Sequence, residues 1–281
     1  MTIFDTHAHY FDKRFENEAE GGAEAVLRDI MPAPVCRIIN VGTNCENARI
    51  AIAQAAAYEG MYAAAGIHPE DCHYVSDADV ALNELSAILG TAESRERDKI
   101  VALGEIGLDY HWQDYGGIPM DKAKQAYFFD AQMEMARERN LPVIIHDREA
   151  HGDCFETVLR HPEVHGVFHS YSGSAEMARE LTRRGWYISF SGTLTFKNAN
   201  RVREAALAVP RDRLLIETDA PYLAPHPMRG RLNHSGLLVH TLDALAWLWG
   251  ISAEEAAKIT FENAEKCFFS TKIEQNAQKS K

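Results

Sequence analysis

The sequence predicts an α/β protein, a (β/α)8 TIM barrel in a single domain, on three observations. Eight short apolar runs recur along the chain, helix-patterned stretches separate them, and imidazole and carboxylate side chains stand where the runs end. The runs are residues 3–4, 35–41, 61–67, 100–103, 143–145, 166–168, 186–190 and 214–216, rich in β-branched and other apolar residues. Near-continuous apolar runs of this length suit strands covered on both faces, as in a parallel sheet. Helical patterns fall between them at 48–58, 79–89, 122–139, 175–184 and 199–208, mostly closed by Gly or Pro. Within 122–139, Ala126, Phe129, Met133 and Ala136 recur at three- and four-residue steps and predict one buried face.

Eight alternations favour a closed barrel over an open doubly wound sheet. A dinucleotide fold loses its main support because no Gly-rich phosphate loop follows the first run. With 281 residues the chain is long enough for two domains, yet closed α/β barrels use roughly 250 residues for one. No low-complexity linker divides it, so residues 1–269 read as one barrel and the polar stretch 270–281 as a tail with little to bury. The Pro-, Gly- and Arg-rich segment 226–235 reads as a loop.

Composition narrows the partners. Hydrophobic residues make up 46% and charged residues 25%, ordinary for a protein with a large core. Lys and Arg total 29 against 41 Asp and Glu, a net charge of −12, which argues against a broad electrostatic grip on duplex nucleic acid. An enzyme that handles one chain end at a metal centre stays compatible with that charge, because bound cations invert the local field. The five cysteines are scattered and include no C-x-x-C, so neither a disulfide framework nor a thiolate zinc site is expected. No basic-then-apolar leader and no run of about 18 apolar residues occurs, so no membrane partner and a cytoplasmic location are expected.

The active chemistry is read from position. His7 and His9 form an H-x-H pair beyond the first run, and on extended backbone both imidazoles point to one side. Glu105 follows the fourth run, His146 the fifth, His169 the sixth and Asp219 the eighth. In a parallel barrel these ends open onto one face, so residues more than two hundred positions apart converge. Singly, Glu105 or Asp219 could cap a helix, and any one histidine could be a core residue with a satisfied hydrogen bond. Jointly, six such residues point to a metal site. Imidazole and carboxylate donors suit Zn²⁺, Mn²⁺, Mg²⁺ or Co²⁺, and six ligands exceed the needs of one zinc, so two divalent ions bridged by a carboxylate are expected. Asp5 is a candidate to orient a ligand or a polar barrel residue. His68 in Gly66-Ile67-His68-Pro69 is a candidate substrate donor, and Arg148 and Arg229 are candidates to grip an anion, against surface salt bridges as the alternative. His73, His111, His151, His161, His165, His234 and His240 gain no role from spacing.

Taken together, Phe4-Asp5-Thr6-His7-Ala8-His9, Gly66-Ile67-His68-Pro69, Gly104-Glu105-Ile106-Gly107-Leu108-Asp109-Tyr110, His146-Asp147-Arg148-Glu149-Ala150, His169-Ser170-Tyr171-Ser172-Gly173, Ser191-Gly192 with Thr195-Phe196-Lys197-Asn198-Ala199, and Glu217-Thr218-Asp219-Ala220-Pro221-Tyr222-Leu223 carry a resemblance over nearly the whole chain. The sequence resembles the TatD family of metal-dependent deoxyribonucleases, within the amidohydrolase-like barrels. The resemblance implies a binuclear centre with His7, His9 and Asp219 on one metal, His146 and His169 on the other, and Glu105 bridging where related barrels use a carboxylated lysine. It also implies hydrolysis of DNA phosphodiesters, commonly by trimming a 3′ end, with single-stranded DNA or 3′ ends as partner and no obligate protein partner. One departure stands out. The family's last loop typically reads Arg-Gly-Lys-x-Asn-Glu-Pro, whereas this chain has Arg229-Gly230-Arg231-Leu232-Asn233-His234-Ser235.

The expected chemistry is attack on phosphorus by a water acidified at the metals, with Asp219 as proton acceptor and catalytic residue alongside Glu105. Two alternatives stay open. The same barrel and metals activate water toward amide, ester or aminoacyl bonds, and a non-catalytic scaffold would keep structural metal in a closed shell.

Overall fold

The computed structural model describes residues 1–31 and 35–279. In chain order the elements are β1 (Ile3–Ala8), α1 (Lys13–Glu18), α2 (Gly22–Ile30), β2 (Val35–Val41), α3 (Cys45–Ala57), β3 (Met61–Ala65), α4 (Pro69–Cys72), α5 (Ala78–Leu89), α6 (Ala92–Arg97) and β4 (Ile100–Asp109). A short hairpin follows, β5 (Asp114–Tyr115) and β6 (Ile118–Pro119), then α7 (Lys122–Arg139), β7 (Val143–Arg148), α8 (His151–Arg160), β8 (Gly166–Phe168) and α9 (Ala175–Arg183). The chain closes with β9 (Tyr187–Phe190), α10 (Asn200–Ala208), β10 (Leu214–Ile216), α11 (Leu238–Trp249) and α12 (Ala253–Lys279).

Eight of these strands form one parallel sheet in the order β1-β2-β3-β4-β7-β8-β9-β10, the barrel expected from the alternation of runs. The sheet returns on itself just beyond β10, where Ala8 bridges Ala220, the His9 amide donates to the Ala220 carbonyl at 2.7 Å and the Asp219 amide to the His7 carbonyl at 2.9 Å. Closure therefore happens at the residues that carry the chemistry.

Side-chain alternation sorts the strands into two faces. Phe4, Ile39, Ala64, Ala102, Ile144, Val167 and Leu215 pack with Ala264, Cys267, Phe268 and Phe269 of α12. Phe4 anchors this group, its ring centroid 5.8 Å from that of Phe261 and 6.3 Å from that of Phe269. The intervening residues, such as Leu103, Val143, Ile145, Phe168, Ile188 and Leu214, pack on the surrounding helices. No single helix among the described residues is long and apolar enough to cross a membrane.

Helix ends follow local chemistry. The Asn44, Asp121 and Ser174 side chains accept from the backbone N–H of Asn47, Lys124 and Met177 and start α3, α7 and α9. Asn140 in the left-handed region ends α7, whose bounds match the predicted 122–139. Its buried stripe differs from the one expected. Ala126 is only partly covered, while Gln125 and Gln132 are fully buried beside Phe128, Phe129, Met133 and Ala136. Gln132 pairs with both backbone groups of Ile67, its Oε1 accepting at 2.7 Å and its Nε2 donating at 3.0 Å, and Gln125 pairs in the same way with Asp109 at 2.9 Å for each bond. Two glutamines thus satisfy the backbone of strand ends.

The strands run further than the apolar runs. β4 continues to Asp109 and β7 to Arg148, so Glu105 and His146 lie within strands rather than after them. Gly104 and Gly107 within β4 serve close approach. A Cβ on Gly107, at φ +139°, would lie 2.0 Å from the His146 carbonyl oxygen, and one on Gly104 2.7 Å from Ile144 Cβ. The hairpin β5–β6 and helices α1, α2, α4, α6, α8, α11 and α12 complete the fold beyond the predicted elements. The tail expected over 270–281 is described as helical backbone up to Lys279, and residues 280–281 lie outside the described residues.

Because Phe4 fills the junction between barrel and α12, Phe4→Ala is expected to cost about 3–5 kcal/mol of stability by transfer loss and cavity. Urea unfolding checks this. A loss under about 1 kcal/mol would mean that the ring is not a core anchor.

Candidate metal centre

Strand ends deliver the expected residues to one place. His7 is the penultimate residue of β1 with His9 just beyond the strand, His169 follows β8, and Asp219 follows β10 in the left-handed region at φ +57°, a conformation Asp tolerates better than most residues. His7, His9, Glu105 and His169 are buried, and His146 and Asp219 are mostly covered.

Glu105 sits at the centre with its two oxygens facing different partners. Oε2 lies 3.3 Å from His7 Nε2 and 3.6 Å from His9 Nε2. Oε1 lies 2.7 Å from His146 Nδ1, 2.7 Å from His169 Nε2 and 3.4 Å from His68 Nε2. Asp219 Oδ1 joins the first group, 3.5 Å from His9 Nε2 and 3.8 Å from His7 Nε2. Three sets of donor atoms, each within 4.8 Å of one another, have the make-up of a metal site: His7, His9 and Glu105; His7, His169 and Asp219; and His68, Glu105 and His146. The second set crosses the ligand division that the family resemblance implies, since His169 reaches toward the His7 side, where the two rings stack at 4.1 Å.

The donor set fits divalent cations. His7 Nε2 and His9 Nε2 face each other at 3.0 Å, and His7 Nδ1 is buried with no hydrogen-bond partner among the described residues. Ring nitrogens converging on carboxylates away from water are costly unless a proton or a cation lies among them.

The ligands are held from behind. His9 Nδ1 lies 2.7 Å from the Val41 carbonyl, His146 Nε2 3.0 Å from Asp109 Oδ2, and His169 Nδ1 3.2 Å from Glu217 Oε1, which also accepts from the Ser170 amide at 2.7 Å. Such partners fix ring orientation and raise ligand basicity. Asp109 and Glu217 were not assigned a role from sequence, although both stand in the strand-end motifs; a second acidic residue four after Glu105 and two before Asp219 was the available signal. Asp5 acts through backbone. It is buried and accepts from the amides of His7 at 3.3 Å and Thr218 at 2.9 Å and from the Thr218 hydroxyl at 2.6 Å, tying β1 to the Asp219 turn. His68 reaches the cluster, with its Nδ1 accepting from the Glu70 amide at 3.1 Å. Arg148 and Arg229 are exposed outside it, their guanidinium carbons 5.5 Å from the centre of the Trp112 ring and 4.0 Å from that of Phe196.

The departing loop has a structural account. Asn233 is buried and donates to the Thr218 carbonyl at 2.9 Å and the Tyr222 carbonyl at 2.6 Å, bracing both sides of the Asp219 turn. Ser235 accepts from the Tyr10 hydroxyl at 2.8 Å, and its amide donates back to the same oxygen at 2.9 Å. Ser235, which stands where the family has the Pro of the Glu-Pro pair, therefore helps carry this brace to β1's C-terminal extension.

Electrostatics concentrate on the same atoms. Burial works to raise the Glu105 carboxyl, but the charges of His169, His68 and His7 and the bond from His146 hold it well below the usual carboxylate range. Burial depresses His146, yet bonds to Asp109 and Glu105 overcome it and push the imidazole up to about 9. His169 is driven the same way, against burial, by Glu105 and Glu217. Burial and the neighbouring His169 lower His7.

A parallel barrel with a buried imidazole–carboxylate cluster at the C-terminal ends of its strands is the build of a metal-dependent hydrolase. The chain belongs to the TatD family: residues 4–269 match the family model described as TatD related DNase. It is 39% identical over 270 residues to the uncharacterized metal-dependent hydrolase YabD of Bacillus subtilis, covering 95% of this chain and 98% of that one. It is 34% identical over 268 residues to the uncharacterized metal-dependent hydrolase TatD of Mycobacterium tuberculosis, covering 95% and 97%. The crystal structure of YjjV, a TatD homolog from Escherichia coli, superposes with a TM-score of 0.83 at 31% identity over 95% of this chain and 97% of that one.

A metal-free His146 pushed up to about 9 is protonated at neutral pH, and a cation must displace that proton to use the ring. Metal loading at pH 7 is therefore expected to release at least one proton, with apparent affinity rising as pH rises toward 9. Calorimetric titration in buffers of different ionisation enthalpy checks this, and a buffer-independent heat would contradict it.

Proposed function

We propose that this hydrolase is a deoxyribonuclease that trims DNA phosphodiester bonds from single-stranded 3′ ends, using two divalent cations bridged by Glu105. The observation that carries the reading is the division of the Glu105 carboxylate, with Oε2 toward His7 and His9 and Oε1 toward His146, His169 and His68. Two nitrogen-rich groups sharing one carboxylate match the pairing of ions that serves in-line displacement at phosphorus. The matched family's description as DNases supports the substrate class. The five free cysteines support a reducing, cytoplasmic setting.

When bound, the cations supply Lewis acidity and bring the pKa of a coordinated water toward neutrality. The protein's own groups do the rest. His7, His9, His146 and His169 offer ring nitrogens, and Val41, Asp109 and Glu217 fix three of those rings. Burial raises the Asp219 carboxyl, but the His9 hydrogen bond and the His169 and His7 charges hold it below its ordinary value, so it is ionised at neutral pH. An ionised carboxylate at the edge of the cluster would take the proton of the attacking water and return it to the departing O3′ as the P–O3′ bond breaks, giving a nucleoside 5′-monophosphate and a strand shortened by one with a free 3′-hydroxyl. With a net charge of −12, the chain relies on bound cations for much of its recognition of phosphate.

Metal-loaded protein is expected to release mononucleotides from 3′-labelled single-stranded DNA. A chelator should abolish release, Glu105→Ala should lower it at least about a thousandfold, and Asp219→Asn about a hundredfold or more. Circular dichroism of Glu105→Gln, which keeps the side-chain volume, separates lost chemistry from lost fold. Release of product only from amide, ester or aminoacyl substrates would replace this reading with that of an acyl hydrolase.

A further inference from the structure

Next to the metal centre the structure presents an aromatic side chain that the chemistry above does not use. Trp112 lies in the loop between β4 and the β5–β6 hairpin and is 46% exposed, against a barrel in which most large apolar side chains are covered. Arg148, at the end of β7, holds its guanidinium carbon 5.5 Å from the Trp112 ring centre, and among the described residues it has no carboxylate partner. His111 presses edge-on against the same ring at 4.7 Å.

This pair is fastened to the cluster. Asp109 Oδ2 meets His146 Nε2 at 3.0 Å, while Oδ1 of the same carboxylate accepts from the His111 amide at 2.9 Å, the residue before Trp112. The Asp109 carbonyl accepts from Gln125 Nε2 at 2.9 Å and from the Tyr115 hydroxyl at 3.2 Å, which pins the hairpin to the strand end. The Tyr110 amide donates to the Arg148 carbonyl at 2.9 Å. The loop that carries Trp112 and the strand end that carries Arg148 are thus held together, and both are continuous with residues that touch a candidate ligand.

We infer that Trp112 and Arg148 form a nucleotide subsite beside the metal centre, Trp112 stacking on the base of one nucleotide of a single strand and Arg148 pairing with its phosphate. The inference rests on the nuclease reading above and names how that substrate is held. Two physical arguments carry it. Base–aromatic stacking needs no net positive charge, which suits a chain at −12, and every base has a face that an indole can cover, so the subsite holds strands of any sequence. A guanidinium without a carboxylate partner, stacked on an indole, keeps its donors free for a phosphate while the ring limits its rotamers. Duplex ends would have to unstack a base to use the site, which favours single strands.

The test uses metal-loaded full-length protein, a short single-stranded oligodeoxynucleotide, and the same oligonucleotide made abasic at one position at a time. Trp112→Ala is expected to raise KM about tenfold with the loss falling on KM rather than kcat, and Trp112→Phe to recover most of it. One abasic position should cost the wild type a similar factor and cost Trp112→Ala nothing further, the non-additivity that a direct contact requires. Arg148→Gln should raise KM and flatten its dependence on salt. Tryptophan fluorescence should be quenched by a phosphorothioate version of the strand, with quenching lost in Trp112→Phe and kept in Trp247→Phe, whose indole is 79% exposed on α11. Trimming that persists with an unchanged KM in Trp112→Ala overturns the subsite and leaves the nuclease reading standing. Quenching at Trp112 without nucleotide release supports the subsite and overturns the nuclease reading. Neither quenching nor release overturns both.

Discussion

A buried carboxylate among five imidazoles is the constraint on which the rest of this molecule depends. Glu105 lies within 3.6 Å of ring nitrogens from His7, His9, His68, His146 and His169. Such a charge, removed from water, is tolerable only when opposite charges and hydrogen-bond donors surround it. The barrel supplies them from β1 and the residue just beyond it, from β7 and from the segments beyond β3 and β8, and its closure at Ala8 and Ala220 brings Asp219 beside His7 and His9. Fold and site are the same set of bonds at this point, since the amides of His9 and Asp219 both take part in the closure.

Around that centre the structure spends polar residues on orientation. Asp109, Glu217 and the Val41 carbonyl each fix one imidazole, and Asp5 and Asn233 fix the backbone on either side of Asp219. Buried polar networks of this kind are stable only when nearly every member is satisfied. His7 Nδ1 is the exception within the cluster, and a buried unpaired ring nitrogen there agrees with a centre built to be completed by a cation.

Much of this was legible in the sequence because two periodicities coincide with chemistry. Apolar runs located the eight barrel strands, and the histidines and acids at their ends were expected on one face from topology alone; the structure brings them around Glu105. The partners behind the ligands were harder to read. Asp109 lies 37 residues from His146 and Glu217 lies 48 from His169, and neither pairing follows from local spacing. The fourth apolar run, 100–103, covers less than half of β4, because the strand continues through Gly104 and Gly107, which let β4 and β7 approach and carry Glu105 inside the strand. The buried Gln125 and Gln132 lie outside the apolar stripe that the helix pattern picks out, because their role, pairing with the backbone of Asp109 and Ile67, appears only once the helix is packed. The Arg229 to Ser235 loop departs from the family pattern, and two of its residues, Asn233 and Ser235, brace the Asp219 turn and Tyr10, contacts that no local spacing announces.

On the proposed reading, Glu105 would serve two divalent cations at once, one through each carboxylate oxygen's group of imidazoles. The most direct measurement is metal stoichiometry, by equilibrium dialysis followed by elemental analysis, for the wild type and for Glu105→Gln. The account predicts two divalent ions per chain in the wild type and no more than one in the variant at the same free-metal concentration. A single ion in the saturated wild type, or two retained with unchanged affinity in Glu105→Gln, would contradict it.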